Sequence, residues 1–328
     1  MQEHQLSFER TVKRSLVHRR AVNEVFVTDL RDVDSSTFLV GAQLPMSHAY
    51  FLDHASGPPR YTLPLLTECC RQAATIVAHE RHGVPFDWTF LMMDTSARLT
   101  NTAPLLVGER PTELTITVGT EVTTSRGGEV RGLRHTFAMA IGGERVGHGD
   151  SVTRYVTNEE YEFMRAAGRT GTPPLSTTLP ETVGGLVVPY LVGRRDPRNV
   201  VLADCHTTED GALQARLAVS GRHPTYFDHP LDHYTGMVLT EAAIQAGALA
   251  AAAEGEPAVN TTVVGLEAGF KQFLELDDDV VVRARAGKPE DDADVGRVLP
   301  VEIEFTQGGA ERARVRLLTT SDGERSWR

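Results

Sequence analysis

The chain has 328 residues, 41% of them hydrophobic and 23% charged, with a formal net charge of −11. This is the balance of a globular protein of about two ordinary domains with a real core, and it argues against a nucleic-acid-binding face, which needs basic charge. Cys69, Cys70 and Cys205 are odd in number, two of them adjacent and none at metal-ligand spacing, which argues against a disulfide framework and fits a reducing compartment.

Residues 1–14 form a polar arm without the apolar segment of a signal peptide, so a cytoplasmic protein is expected. Val22–Thr28 and Thr37–Val40 have strand character. A Gly57-Pro58-Pro59 turn leads to a helix predicted over Leu63–His82, with Pro64 in its first turn and Gly83 as its stop. Its apolar residues cover most of its circumference, as in a helix clasped by a sheet. Strands follow at Phe90–Met93, Thr112–Val118, Arg131–Ala140 and Arg145–Val156. Residues 158–185 are polar and rich in Pro, Gly and Thr, and are expected as a linker. The second half has strand-like runs at Asn199–Asp204 and Ala212–Val219, then the polar turn Tyr226–Thr235. The longest apolar run, Gly236–Ala253, carries Glu241 and Gln245 and reads as a buried helix rather than a membrane span. Further strands are expected at Asp279–Arg285, Leu299–Phe305 and Ala313–Thr319, and Gly142-Gly143 and Gly308-Gly309 as hairpin turns. No zinc, phosphate-loop or dinucleotide signature occurs, so no metal or cofactor is expected.

The halves repeat. Leu65-Leu-Thr-Glu68 matches Val238-Leu-Thr-Glu241, and the same offset of 173 positions pairs Gln72 with Gln245 and Arg98 with Lys271. Each half reads as strands, one long buried helix, then antiparallel strands. The fold expected is α+β: two tandem hot-dog domains, each a long central helix wrapped by an antiparallel sheet, forming an intrachain pseudo-dimer. The boundaries are an arm over 1–14, a first domain over 15–157, a linker over 158–185 and a second domain over 186–328.

Residues 226–246 resemble the hot-dog dehydratases and thioesterases that act on acyl thioesters, which carry a His-rich turn, a Gly at the helix entry, and an acidic residue followed by Ala and Gln. The equivalents are His229, Gly236, Glu241 and Gln245. A closer resemblance covers nearly the whole chain. Val17-His-Arg19, Val22–Asp29, Leu65–Ala73, His82-Gly-Val-Pro85 and Asp228–His233 are similar to the A-factor biosynthesis (AfsA-type) family of tandem hot-dog proteins. That resemblance implies transfer of a β-ketoacyl group, from an acyl carrier protein or CoA thioester, to the hydroxyl of dihydroxyacetone phosphate in γ-butyrolactone or butenolide hormone synthesis. The family carries a glutamate on each central helix, here Glu68 and Glu241. It often has an arginine three residues after the second, where this chain has Ile244.

Acyl transfer to an alcohol needs a base beside the hydroxyl and dipoles facing the oxyanion, and a phosphorylated acceptor needs cations or helix amides. The expected catalytic set is Glu241, Glu68, His229, Gln245 and Gln72, against the alternative that the glutamates are a structural pair. Arg71, Arg98 and Lys271 are expected to bind substrate phosphates, and Asp232, His233 and Gly236 the thioester end. Arg71 could equally be the salt-bridge partner of Glu68, one turn away. The asymmetry of Arg71 against Ile244 assigns the thioester and base chemistry to Glu241 with the His229–His233 turn. The rival functions are a thioesterase or dehydratase, which would need no phosphorylated acceptor, and a non-catalytic acyl or butyrolactone-binding regulator. No nucleic acid or membrane is expected as a partner, and association into a homodimer is left open.

Overall fold

The computed structural model describes residues 5–55, 57–256 and 258–321; residues 1–4 of the expected arm lie outside them. The chain packs as two units, one of residues 1–47 and 65–172, the other of residues 48–64 and 173–328. Residues 48–62 precede the first helix, yet they and its first two residues pack with the second half. The expected boundaries did not anticipate this, because chain order does not reveal which body a loop packs on.

In the first unit, β1 (Val27–Asp32) and β2 (Thr37–Leu44) precede helix α1 (Leu63–His82), whose limits match those expected. Strands β3 (Thr89–Leu99), β4 (Thr112–Arg126), β5 (Glu129–Ile141) and β6 (Glu144–Val156) follow. They form an antiparallel sheet in the order β1-β2-β4-β5-β6-β3. Gly142 and Gly143, at φ 58° and 84°, make the β5–β6 turn, a conformation that admits glycine at both central positions. Val22–Glu24, expected as the start of a strand, is instead a short 3-10 turn leading into β1. On α1, Leu65, Leu66, Cys69, Ala73, Val77 and Ala78 are fully buried; Ala78 packs with Leu133 of β5 and Tyr155 of β6. The first residues of the expected linker are a helix, α2 (Asn158–Gly168). A capping box starts it: Glu160 N–H donates to the Thr157 hydroxyl and Thr157 N–H to the Glu160 carboxylate. The Thr157-x-x-Glu160 pattern was legible in the sequence and outweighs the Gly/Pro content that follows.

The second unit repeats this plan. β7 (Leu202–Thr207) and β8 (Leu213–Leu217) precede α3 (Gly236–Ala253). They are followed by β9 (Thr261–Phe270), β10 (Val281–Ala286), the short β11 (Glu290–Asp292), β12 (Gly296–Gln307) and β13 (Ala310–Ser321). The sheet order is β7-β8-β10-β12-β13-β9, the topology of the first unit, with β11 paired to β12. Helix α3 is long and apolar enough to cross a membrane by composition, but its residues from Val238 to Ala251 are mostly buried in this unit. Its alanines let the sheet come close: a Cβ on Gly247 would stand 2.9 Å from Leu317 of β13.

Candidate active site

Each central helix carries the glutamate–glutamine pair seen in the sequence, and each pair does the same structural work. In the first unit Gln72 is fully buried; its Oε1 accepts from Phe26 N–H at 2.9 Å and its Nε2 donates to Glu24 O and to Glu68, both at 2.7 Å. In the second, Gln245 accepts from Val201 N–H at 3.0 Å and donates to Asn199 O at 2.7 Å and to Glu241 at 2.6 Å. The glutamine thus pins the chain just before the first strand of each sheet to the helix, satisfying backbone groups that would be costly to leave unpaired in a core.

The glutamates are held by arginines. Arg19 reaches Glu68 at 2.7 Å, and Arg71 grips both of its carboxylate oxygens at 2.7 Å. Burial would raise the Glu68 carboxyl, but the guanidinium groups of Arg19 and then Arg71 outweigh it and hold it at about 2. Arg194 forks onto Glu241, its Nε donating to Oε1 at 2.9 Å and its Nη2 to Oε2, while the Tyr50 hydroxyl donates to Oε2 at 2.9 Å. Burial and then Glu241 push the Tyr50 phenol well up, so it stays a donor. Both glutamates are thereby charge-paired anchors with their oxygens occupied, which disfavours either as a general base.

The Glu68 pair gives stability a defined pH dependence. A carboxyl lowered from 4.5 to about 2 is worth on the order of 3 kcal/mol in the charged state. Because the folded value is the lower one, that contribution is complete above the unfolded value and is lost as pH falls toward 2. Urea unfolding should therefore show stability dropping from pH 5 to pH 3, with a smaller drop in Glu68→Gln. Equal slopes would refute the assignment.

Arg19, Arg194 and Tyr50 were not among the expected site residues. The arginines are themselves a repeat: Val17-His18-Arg19 and Val192-Gly193-Arg194 each close a 3-10 turn with a left-handed residue, His18 at φ 53° and Gly193 at φ 72°. Their offset is 175 positions, not the 173 of the helices, so one search register hides them. The same offset pairs His48 with His223; each caps its own turn through Nδ1, accepting from Tyr50 and Phe51 N–H and from Thr225 and Tyr226 N–H respectively.

The expected cations separate. Arg71 belongs to the Glu68 cluster and also donates to Val17 O at 3.2 Å. Lys271 is 61% exposed and pairs with Glu311 at 2.5 Å at the end of β9. Arg98 lies within β3, opposite His148 of β6. The expected equivalence of Arg98 and Lys271 is corrected by the strand registers. The N–H groups of Lys271 and Gln272 both donate to Arg312 O, just as those of Thr100 and Asn101 donate to Val146 O, so Thr100 is the counterpart of Lys271. Cys69 and Cys70 are buried and their thiols pushed up by burial, which leaves neither a nucleophile at neutral pH.

The turn before α3 assembles the remaining polar groups. Asp232 holds His233 through Nδ1 at 2.7 Å, and the ring packs edge-on to Phe273 at 4.9 Å. Tyr234 N–H donates to Leu274 O at 2.9 Å, fixing the strand-like entry. His229 is about a third exposed, with Nδ1 3.5 Å from the buried Asp228 carboxylate. Helix α3 then begins at Gly236 after Thr235, whose side chain makes no capping bond and whose hydroxyl is buried without a hydrogen-bond partner. The first turn of α3 therefore lacks a side-chain cap from Thr235, and its positive dipole end follows in the chain directly after the Asp232–His233 pair. A Cβ on Gly236 would meet the Phe270 ring at 3.2 Å, so glycine keeps the helix entry close to β9.

The description "A-factor biosynthesis hotdog domain" matches this chain twice, over residues 1–157 and 176–321. The chain is 33% identical over 288 residues to a 2-oxo-3-(phosphooxy)propyl 3-oxoalkanoate synthase of Streptomyces virginiae, covering 87% of this chain and 90% of that protein. It is 32% identical to a synthase of the same name from Streptomyces griseus, over 73% of this chain and 75% of that one. In fold it is similar to an oleoyl thioesterase from Lactobacillus plantarum, with a TM-score of 0.53 at 11% identity over 88% of this chain and 98% of that one. It is also similar to the pyran synthase domain from module nine of the sorangicin pathway, with a TM-score of 0.52 at 13% identity over 90% and 97% of the two chains. With both halves matched and a relative aligned along most of its length, the chain belongs to the A-factor biosynthesis hot-dog family.

Proposed function

We propose that the protein transfers a β-ketoacyl group from a thioester to the free hydroxyl of dihydroxyacetone phosphate, forming the 2-oxo-3-(phosphooxy)propyl ester in γ-butyrolactone or butenolide hormone synthesis. The observation that carries this reading is the likeness to synthases named for that ester, over 87% of this chain for one relative and 73% for another. The corner at the start of α3 supports it chemically. There His233, oriented by Asp232, takes the proton of the acceptor hydroxyl as its oxygen attacks the thioester carbonyl. The amides at Gly236 and after it face the developing oxyanion. The C–S bond then breaks and the imidazolium returns the proton to the departing thiolate. His229, more exposed and more loosely held by its carboxylate, is assigned to contact with substrate rather than proton transfer. The product keeps an activated methylene and a ketone, which can condense within the molecule to a butenolide with loss of water.

Incubating the purified protein with a β-ketoacyl thioester and dihydroxyacetone phosphate is the test. The expected result is a phosphorylated ester that requires both substrates. Thiol release at the same rate without the acceptor would instead favour a thioesterase and overturn the reading.

A further inference from the structure

Between Glu9 and Glu24 the chain carries Arg10, Lys13, Arg14, Arg19 and Arg20 and no carboxylate, against a net charge of −11 overall. Arg19 is spent inside, on Glu68. Arg10, Lys13, Arg14 and Arg20 are all exposed, and Arg14 donates to Arg20 O. Lys13 and Arg14 line a groove of about 540 Å3 together with Val12, Val22 and Val25, with Val22 66% exposed. Apolar and cationic side chains lining one groove suit a protein-docking surface.

The second unit supplies an internal control for what the fold itself demands here. Residues 187–194 repeat the backbone of residues 12–19, 175 positions on. Val12 N–H donates to Val27 O and Val187 N–H to Leu202 O; Arg19 N–H donates to Arg14 O and Arg194 N–H to Pro189 O. The valine and the inward arginine are kept, as Val17 with Val192 and Arg19 with Arg194. Lys13, Arg14 and Ser15 become Val188, Pro189 and Tyr190, of which Val188 is 60% and Tyr190 56% exposed. The 3-10 turn therefore forms without cations at the positions of Lys13 and Arg14, whereas Arg20 is kept as Arg195.

We propose that the Arg10–Lys13–Arg14–Arg20 face of the first unit docks an acidic carrier protein that presents the acyl thioester on its pantetheine arm. The proposal rests on the acyl-transfer reading for the identity of the donor, but not for the binding itself. The cations steer a negatively charged partner, and exposed Val22 gives it an apolar foothold. A spread of four cations along eleven residues suits a charged protein surface better than the compact phosphates of a nucleotide.

The test uses the full chain and an acidic acyl carrier protein with its pantetheine attached. Two variants are compared with the parent: Arg10→Glu/Lys13→Glu, and Lys13→Val/Arg14→Pro/Ser15→Tyr, which imports the second copy's residues and keeps Arg19 on Glu68. Carrier affinity, read by fluorescence anisotropy without any chemistry, should weaken at least ~10-fold in both variants at unchanged melting temperature. The parent's affinity should fall between about 0.05 and about 0.3 M salt, and the variants' should fall less steeply. In turnover, kcat/KM should fall for the carrier-borne β-ketoacyl group and stay unchanged for the same group on free pantetheine. Unchanged affinity in both variants would overturn the proposal. So would an equal loss on the pantetheine substrate, or an equal loss on a CoA thioester, which would mean that the cations read a nucleotide phosphate. If no donor is turned over but carrier binding behaves as described, the acyl-transfer reading fails and the docking face stands.

Discussion

Replacing Arg194 by methionine is expected to destabilise the second unit by about 3–5 kcal/mol, because Glu241 would be left as a buried charge without its cation. Glu241 and Gln245 are both fully buried, and Arg194 is 8% exposed. Arg194 does more than pair with the carboxylate. Its Nη1 donates to Tyr50 O at 2.9 Å and Asp53 O at 3.1 Å, and its guanidinium stands 4.8 Å from the Tyr50 ring. It is thus the joint between α3 and residues 48–64, which Asp53 fastens further by accepting from Arg195 N–H at 3.0 Å and Asn199 Nδ2 at 2.7 Å. Burial would lower the Arg194 value, but Glu241 outweighs it, so the guanidinium stays charged. Arg194→Met/Glu241→Met should recover much of the loss, since removing both charges removes the desolvation cost of each. Urea unfolding of the four proteins in the cycle measures this. A single-mutant cost below about 1 kcal/mol, or a double mutant no better than Arg194→Met, would show that the pair does not anchor the unit.

The helices and their buried glutamates were legible because helix periodicity and an uninterrupted offset both act over short range. Leu63 and Gly236 start the helices at the same offset of 173 that joins Glu68 to Glu241. The partners were hidden by two small length changes. The loop from Asp53 to Leu63 is two residues longer than that from Asp228 to Gly236, so everything before the helices repeats at 175, including Arg19 with Arg194. The first copy is again two residues longer between the helix start and the end of the next strand. Lys271 therefore answers to Thr100, and its apparent match with Arg98 was a coincidence of type. Composition also misdirected: Gly193-Arg-Arg-Asp-Pro197 looks like a solvated loop, yet Arg194 is buried within it. A lone carboxylate in an apolar helix signals that something must neutralise it, but not that the partner lies 47 residues upstream. The exposed cationic arm was overlooked because the whole-chain charge of −11 averages it away.

Removing the imidazole of His233 is expected to lower kcat by about 10²–10⁴ with little change in melting temperature, the usual worth of a positioned general base. The same corner sets a graded order. Asp232→Asn keeps the ring but weakens the grip on Nδ1, now 2.7 Å, and should cost less than His233→Ala. His229→Ala should cost least in kcat and more in KM, because its imidazole stands further from its own carboxylate, at 3.5 Å, and is the more exposed of the two. Glu241→Gln should behave oppositely to all three. It removes the charge from the Arg194 fork and so loses stability first, and activity only in proportion to the protein that stays folded. Steady-state kinetics on matched folded fractions separates the two patterns. If Glu241→Gln proves stable but inactive while His233→Ala keeps more than about a tenth of the parent rate, the base is the buried carboxylate after all. That outcome would require Glu241 to shed Arg194, Tyr50 or Gln245 during turnover, because those three side chains occupy both of its oxygens. A base that must first break charge-assisted bonds in a dry core starts each cycle against a barrier of several kcal/mol. The Glu241 oxygens are committed to anchoring, whereas Asp232 orients the His233 ring from its Nδ1 side, and this asymmetry is the physical ground for placing the proton transfer on the turn and the anchoring on the helix.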